Sequence, residues 1–215
     1  MKDTLKVTAI NGSPNRDGNT AAALGVMAEV LREDGIRTEI LQVGGERIRG
    51  CVGCGECRTS EGNFCAFTDD VVNDFSLKMR NADGIILGAP TYYAGMPGEM
   101  KSFLDRVFFS SSAYFRYKVG TAVTVVRRTG GIDALQGLMN FFDLAETVTP
   151  PSQYWMVVYG RSKNEVLQDP EGMQTIRKNA RSMAWLMKMI AETKGKIPTP
   201  DEIKQEKRIF TNFIR

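Results

Sequence analysis

Short apolar runs alternate along this chain with longer segments whose apolar positions recur at helical spacing, a rhythm that predicts strands and crossover helices in turn. Leu5 to Asn11 reads as a first strand, and Asn19 to Asp34 as an amphipathic helix stopped at Gly35. Thr38 to Val43 predicts a second strand. A cysteine-rich stretch follows, then a helix from about Asp69 to Asn81 and a buried strand from Gly84 to Ala89. Pro97 to Phe109 predicts a helix with Met100, Phe103, Leu104, Val107 and Phe108 on one side. Val119 to Val126 reads as a fourth strand, and Ile132 to Glu146 as the helix after it. Gln153 to Tyr159 predicts a fifth strand, delayed by Pro150-Pro151. Glu171 to Lys194 predicts a last helix, with Met173, Ile176, Ala180, Met183, Met187 and Ile190 near helical spacing.

Strands separated by helices build a parallel sheet covered on both faces, and five of them fit the flavodoxin-like arrangement of the doubly wound α/β class. A chain of 215 residues is most simply one domain, here 1–197 with a cysteine-loop insertion at 45–68 and a polar, proline-marked tail at 198–215. Its formal charge of +3 is too small to argue for nucleic acid or an anionic membrane, and no apolar run is long enough to span a bilayer. Met1-Lys2-Asp3-Thr4 opens no signal-peptide pattern, which predicts a cytoplasmic location. The chain has no histidine, so the commonest general base and zinc ligand are excluded. An enzyme built from these residues lets a cofactor carry the chemistry, or uses Lys, Tyr, Asp, Glu or Cys.

Two local patterns carry chemistry. Gly12-Ser13-Pro14-Asn15-Arg16-Asp17-Gly18-Asn19-Thr20 links the first strand to the first helix, where free backbone N–H groups and the helix dipole favour an anion. The loop lacks the lysine of a nucleoside-triphosphate motif and is not G-x-G-x-x-G, so a monophosphate is the expected ligand. An ordinary turn with Asn19 or Thr20 capping the helix is the alternative. The second pattern is C-x2-C-x2-C-x7-C, formed by Cys51, Cys54, Cys57 and Cys65, all the cysteine in the chain. Four soft ligands at this spacing suit a [4Fe-4S] cluster. Structural zinc and metal-free redox thiols are the other two readings.

Ala9-Ile10-Asn11-Gly12-Ser13-Pro14 and Gly18-Asn19-Thr20 resemble the opening of flavodoxin-like NAD(P)H-dependent FMN reductases. The likeness continues through Gly88-Ala89-Pro90-Thr91-Tyr92-Tyr93-Ala94-Gly95 and Met100-Lys101 to Leu104-Asp105-Arg106. It returns weakly at Gly130-Gly131 and Asp169-Pro170-Glu171-Gly172. The cysteine spacing is similar to that of the iron–sulfur flavoprotein branch. This resemblance implies that Ser13, Asn15, Asn19 and Thr20 hold the FMN phosphate. It also implies that Pro90, Thr91, Tyr92, Tyr93 and Gly95 contact the ring, with Ala94-Gly95 offering open backbone N–H groups. Arg127 and Arg128 end the fourth strand facing the same way, and Thr129, Gly130 and Gly131 are weaker cofactor candidates.

The expected function is an FMN-dependent oxidoreductase taking a hydride from NAD(P)H and passing electrons, directly or through a cluster, to a small-molecule or protein acceptor. A flavodoxin-type carrier and a cysteine-based redox sensor are the rivals. The resemblance further implies a homodimer or homotetramer. Phe108, Phe109, Tyr114, Phe115 and Tyr117 could serve its interface or the monomer's core.

Overall fold

The computed structural model describes residues 4–204 together with 206, 209 and 211, so the rest of the expected tail at 198–215 lies outside the described residues. Five strands, β1 (Lys6–Asn11), β2 (Arg37–Gln42), β3 (Gly84–Pro90), β4 (Val119–Val126) and β5 (Val157–Tyr159), form one sheet in the order β2-β1-β3-β4-β5. Every pairing is parallel, with Ile10 opposite Leu41 and Leu87, Leu87 opposite Ala122, and Val125 opposite Val158. That order is the flavodoxin-like one, as the alternation of elements predicts.

Helices α1 (Asn19–Glu33), α2 (Val72–Arg80), α3 (Gly98–Ser111) and α4 (Gly131–Leu144) are the crossovers, and α5 (Pro170–Thr193) follows β5. Leu24 of α1 meets Gly88, and Met183 and Met187 of α5 meet Gly84, on one face of the sheet. Phe142 of α4 meets Gly120, and Phe108 of α3 meets Phe142 edge-on and Phe141 at a tilt, which puts α3 and α4 together on the other face. Phe75 of α2 joins them through Phe103, ring centroids 6.2 Å apart. With both faces covered, β4 is buried at every position and β3 at all but Pro90.

The boundaries move where side chains compete for the backbone. The fifth strand is only Val157–Tyr159, not 153–159. The chain touches the start of β4 at Val148, but Pro150 and Pro151 have no N–H to offer and Asn179 Nδ2 holds the Pro150 carbonyl at 3.0 Å from α5, so it rejoins β4 only at Met156, whose carbonyl accepts the Thr124 N–H. Tyr154 and Trp155 are left exposed in edge contact. Helix α2 begins at Val72, not Asp69, because Asp70 accepts the Val72 N–H at 3.1 Å from outside the helix and turns to α3. The aromatic stretch divides: Phe108 and Phe115 are buried, while Phe109 and Tyr114 are exposed. Lys101 and Asp105 form the expected exposed i,i+4 pair at 2.6 Å. A four-residue helix α6 (Pro200–Ile203) closes the described chain, tied by Asp201 to Arg116 at 2.6 Å. Among the described residues no helix is long and apolar enough to cross a membrane.

Two glycines test this packing in opposite directions. A Cβ at Gly44 would lie 2.2 Å from the Ser13 carbonyl carbon, so Gly44→Ala should lower unfolding free energy by about 1–3 kcal/mol. A Cβ at Gly25, inside α1, meets nothing within 4 Å. Gly25→Ala should therefore add about 0.5–1 kcal/mol through helix propensity, and urea denaturation reads both changes.

Candidate functional site

The turn after β1 is held from three sides. Gly12 donates its N–H to the Gly88 carbonyl at 2.8 Å, and a side chain there would strike Met100 at 2.9 Å. Asn11 accepts the Ser13 N–H at 3.1 Å and donates to Gln42 Oε1 at 2.8 Å, while Gln42 Nε2 donates to the carbonyls of Ser13 and Gly44 at 2.6 and 2.7 Å. Ser13 Oγ accepts the Asn15 N–H at 3.2 Å, so this buried hydroxyl shapes the loop.

Helix α1 then starts from Gly18 with no side-chain cap and no acidic residue in its first turn. Among the described residues the N–H groups of Arg16, Asp17, Asn19, Thr20 and Ala21 have no hydrogen-bond acceptor. Orphan donors on a positive helix terminus form an anion cradle. The helix-capping alternative for Asn19 fails. Its amide donates to the Ser162 carbonyl at 2.8 Å and accepts the Val166 N–H at 3.3 Å, docking the loop after β5 onto α1. That loop brings Arg161 and Lys163 to the rim, and Glu165 accepts the N–H groups of Ser162 and Arg161, which hold its carboxyl below the usual range.

Ser13, Asn15, Asn19, Thr20, Pro90, Thr91 and Tyr92 line one cleft of about 620 Å³, with Arg16, Arg127, Arg161 and Lys163 supplying positive charge. Two expectations from separate parts of the chain thus meet at the carboxyl edge of β1 and β3. Thr91 donates its N–H to the Val125 carbonyl at 2.8 Å, yet its Oγ1 is buried without a partner. Tyr92 and Gly95 exchange backbone hydrogen bonds of 2.8 and 2.9 Å across a tight turn. The Gly95 N–H is therefore closed to a ligand, against expectation; the open donors are those of Tyr93 and Ala94. Both of these residues are left-handed, at φ 47° and 62°, a conformation costing about 1–3 kcal/mol each for non-glycine residues. Tyr93 is fully exposed, and neither it nor Gly95 lines the cleft. Thr129, Gly130 and Gly131 line a neighbouring cleft of about 550 Å³ with Tyr154 and Trp155, although Gly130 packs against Ala94.

The four cysteines share one small cavity with Phe67, Arg106 and Phe109, Cys51 and Cys54 exposed and Cys57 buried. Among the described residues no three His, Cys, Asp or Glu side chains converge as a site for one metal ion. Burial pushes the Cys57 thiol up, and Cys65, Cys54 and Cys51 add to it. Gly53 and Gly55 turn the loop at positive φ. Anchors come from outside the motif: Asn73 brackets Cys65, bonding its N–H and carbonyl at 2.9 Å each. Arg80 lies 4.3 Å from both the Phe64 and Tyr114 ring centroids and donates to the carbonyls of Gly62 and Asn63. Arg106 donates to Cys65 Sγ at 3.3 Å and to both oxygens of Asp70. Sequence reasoning assigned none of these three residues a role. For Arg106 a signal existed, because a charge stands on the apolar face made by Phe103, Leu104 and Val107.

Residues 5–161 match the profile of the NADPH-dependent FMN reductases. The chain belongs to that family. An iron–sulfur flavoprotein of Methanocaldococcus jannaschii is 32% identical over 194 residues, covering 86% of this chain and 99% of that protein. Another, from Methanosarcina thermophila, is 30% identical over 203 residues, 89% and 100% of the two chains. These relatives place this FMN reductase family member in the iron–sulfur flavoprotein branch and among flavin-dependent oxidoreductases. The fold is shared with RosB carrying bound intermediate OHC-RP, at TM-score 0.71 and 17% identity over 98% of this chain and 92% of that one. An archaeal flavodoxin shares it at TM-score 0.57 and 12% identity over 86% and 99%.

The donor set of the cleft fits FMN: unpaired N–H groups and cations for a phosphate, and a buried unpaired hydroxyl where β3 ends. Thr91→Val should raise the stability of the flavin-free protein by about 1 kcal/mol, by removing an unsatisfied polar group. The same variant should weaken FMN binding about tenfold, as read by fluorescence titration.

Proposed function

We propose that this protein is an FMN-dependent oxidoreductase that takes electrons from NAD(P)H and delivers them to an acceptor by way of a [4Fe-4S] cluster. The observation that carries the reading is the single cleft joining the uncapped start of α1 to the Pro90–Tyr92 segment. In this reading the N–H groups of Arg16, Asp17, Asn19, Thr20 and Ala21 receive the phosphate. Arg16, Arg127, Arg161 and Lys163 draw the anion in through their field. Ser13 and Asn15 keep the loop open, and Asn19 keeps the 161–166 loop in place. Thr91 gives its hydroxyl to the bound group, while Tyr92 offers a half-exposed ring as a wall. Arg127, at the end of β4, faces the cleft as a cation that favours a reduced, anionic flavin. FMN supplies the hydride and electron transfer, which agrees with a chain lacking histidine.

Four thiols around one cavity, with no carboxylate or imidazole among its lining residues, are a soft donor set that fits a cluster. Cys51, Cys54, Cys57 and Cys65 would hold it. Names of the relatives support this reading, and the exposure of Cys51 and Cys54 gives electrons a route to the surface. A homodimer or homotetramer belongs to the same proposal. Exposed Tyr93, Phe109 and Trp155 supply apolar surface for it.

The test is an anaerobic preparation with flavin, iron and sulfide counted. Bound or reconstitutable FMN and four irons per chain are expected, and Cys51→Ser should lose iron while keeping FMN. NADPH or NADH should bleach the flavin at a catalytic rate. Colourless protein that refuses added FMN would overturn the assignment, and bound flavin that neither nucleotide reduces would favour a carrier.

A further inference from the structure

Arg106 has no exposed side-chain surface, and all five of its guanidinium N–H groups have acceptors. Nε donates to Cys65 Sγ at 3.3 Å. Nη1 donates to Asp70 Oδ2 and the Arg49 carbonyl, and Nη2 to Asp70 Oδ1 at 3.2 Å and the Phe67 carbonyl at 3.0 Å. Asp70 therefore takes the end of the fork formed by the two Nη atoms, which leaves the Nε–H for the sulfur. No bond joins Asp70 to Cys65, so the charge in contact with the thiol is the cation. A guanidinium keeps its proton throughout the working pH range, so this buried group is a cation.

We propose that Arg106, oriented by Asp70, raises the reduction potential of the [4Fe-4S] cluster by placing a charged N–H against the Cys65 sulfur. The inference rests on the cluster reading above. One-electron reduction, by flavin or by the dithionite of a titration, makes the cluster and its thiolates more negative by one charge. A cationic N–H···S bond stabilises the more negative state, and the buried setting keeps water from screening it. Arg106 is a positioning and tuning residue that acts through Cys65. A purely structural clamp makes a different prediction: substitutions would change stability and cluster content, but the sign of the potential shift would not follow the sign of the charge removed.

The experiment is a potentiometric titration of anaerobically prepared, cluster-loaded protein, read by electron paramagnetic resonance, with iron and sulfide counted first. Asp70→Asn removes the anion and keeps the N–H donor. It should raise the midpoint, increasing the reduced-to-oxidised ratio at fixed potential about tenfold, or about 59 mV for one electron. The double variant Arg106→Met with Asp70→Asn removes both charges and the bond, and should lower the midpoint below wild type by a similar amount. Should the double variant not retain iron, Arg106→Lys carries the readout: it keeps the charge without the fork, and its midpoint should fall below wild type. Shifts of Asp70→Asn and the arginine variant in the same direction, or unmoved midpoints at full iron content, overturn the inference alone. A wild-type chain that takes up no iron and sulfide overturns the cluster reading, and this inference with it.

Discussion

The cysteine segment takes its place above all from the buried guanidinium of Arg106. Between β2 and α2 the chain forms only two short 3₁₀ turns, Glu56–Arg58 and Glu61–Asn63, so it has neither a sheet nor an α-helix of its own to fix it. Arg106 reaches out of α3 and binds residues 49, 65, 67 and 70, pinning both ends of the segment to the core. A buried cation is costly unless every donor is satisfied, and here every donor is. Losing one partner of such a pair costs about 3–5 kcal/mol, a large part of the stability of a domain this size. Arg80 adds a second anchor from α2, its guanidinium against the Phe64 and Tyr114 rings and bonded to the Gly62 and Asn63 carbonyls.

The cleft beside α1 follows a different logic, because it lies where the sheet topology leaves an opening. β1 is followed by a helix on one face and β3 by a helix on the other, so their loops part at the carboxyl edge. The opening is then furnished by what the local chain leaves unpaired: the first N–H groups of α1 and the Thr91 hydroxyl. The strained Tyr93-Ala94 turn stands beside it, held by two backbone hydrogen bonds and by contact with Gly130.

The sheet and the anion loop were legible because both are local. Apolar runs mark β1, β3 and β4, and the glycines of 12–18 sit where a strand must turn into a helix. Resemblance put Thr91 and Tyr92 with the anion loop, and both line its cleft. Hidden were the consequences of contacts far apart in sequence: Asn19 turned to Ser162, Gly95 closed on Tyr92, and the fifth strand shortened by the hold of Asn179 on Pro150. Asp70 looked like a helix-start residue and is an ion-pair partner, because nothing in 69–72 announces a cation on α3.

Gly44 ties these two halves into one mechanical unit. Its backbone lies against Ser13 so closely that no side chain fits, and its carbonyl shares Gln42 with the anion loop. Cys51 comes seven positions later, a tether of at most about 25 Å even when fully stretched. The wall of the anion cradle and the first thiol are thus successive stretches of the same strand of rope, and the length of that span sets how far the cysteine cavity can stand from the cleft.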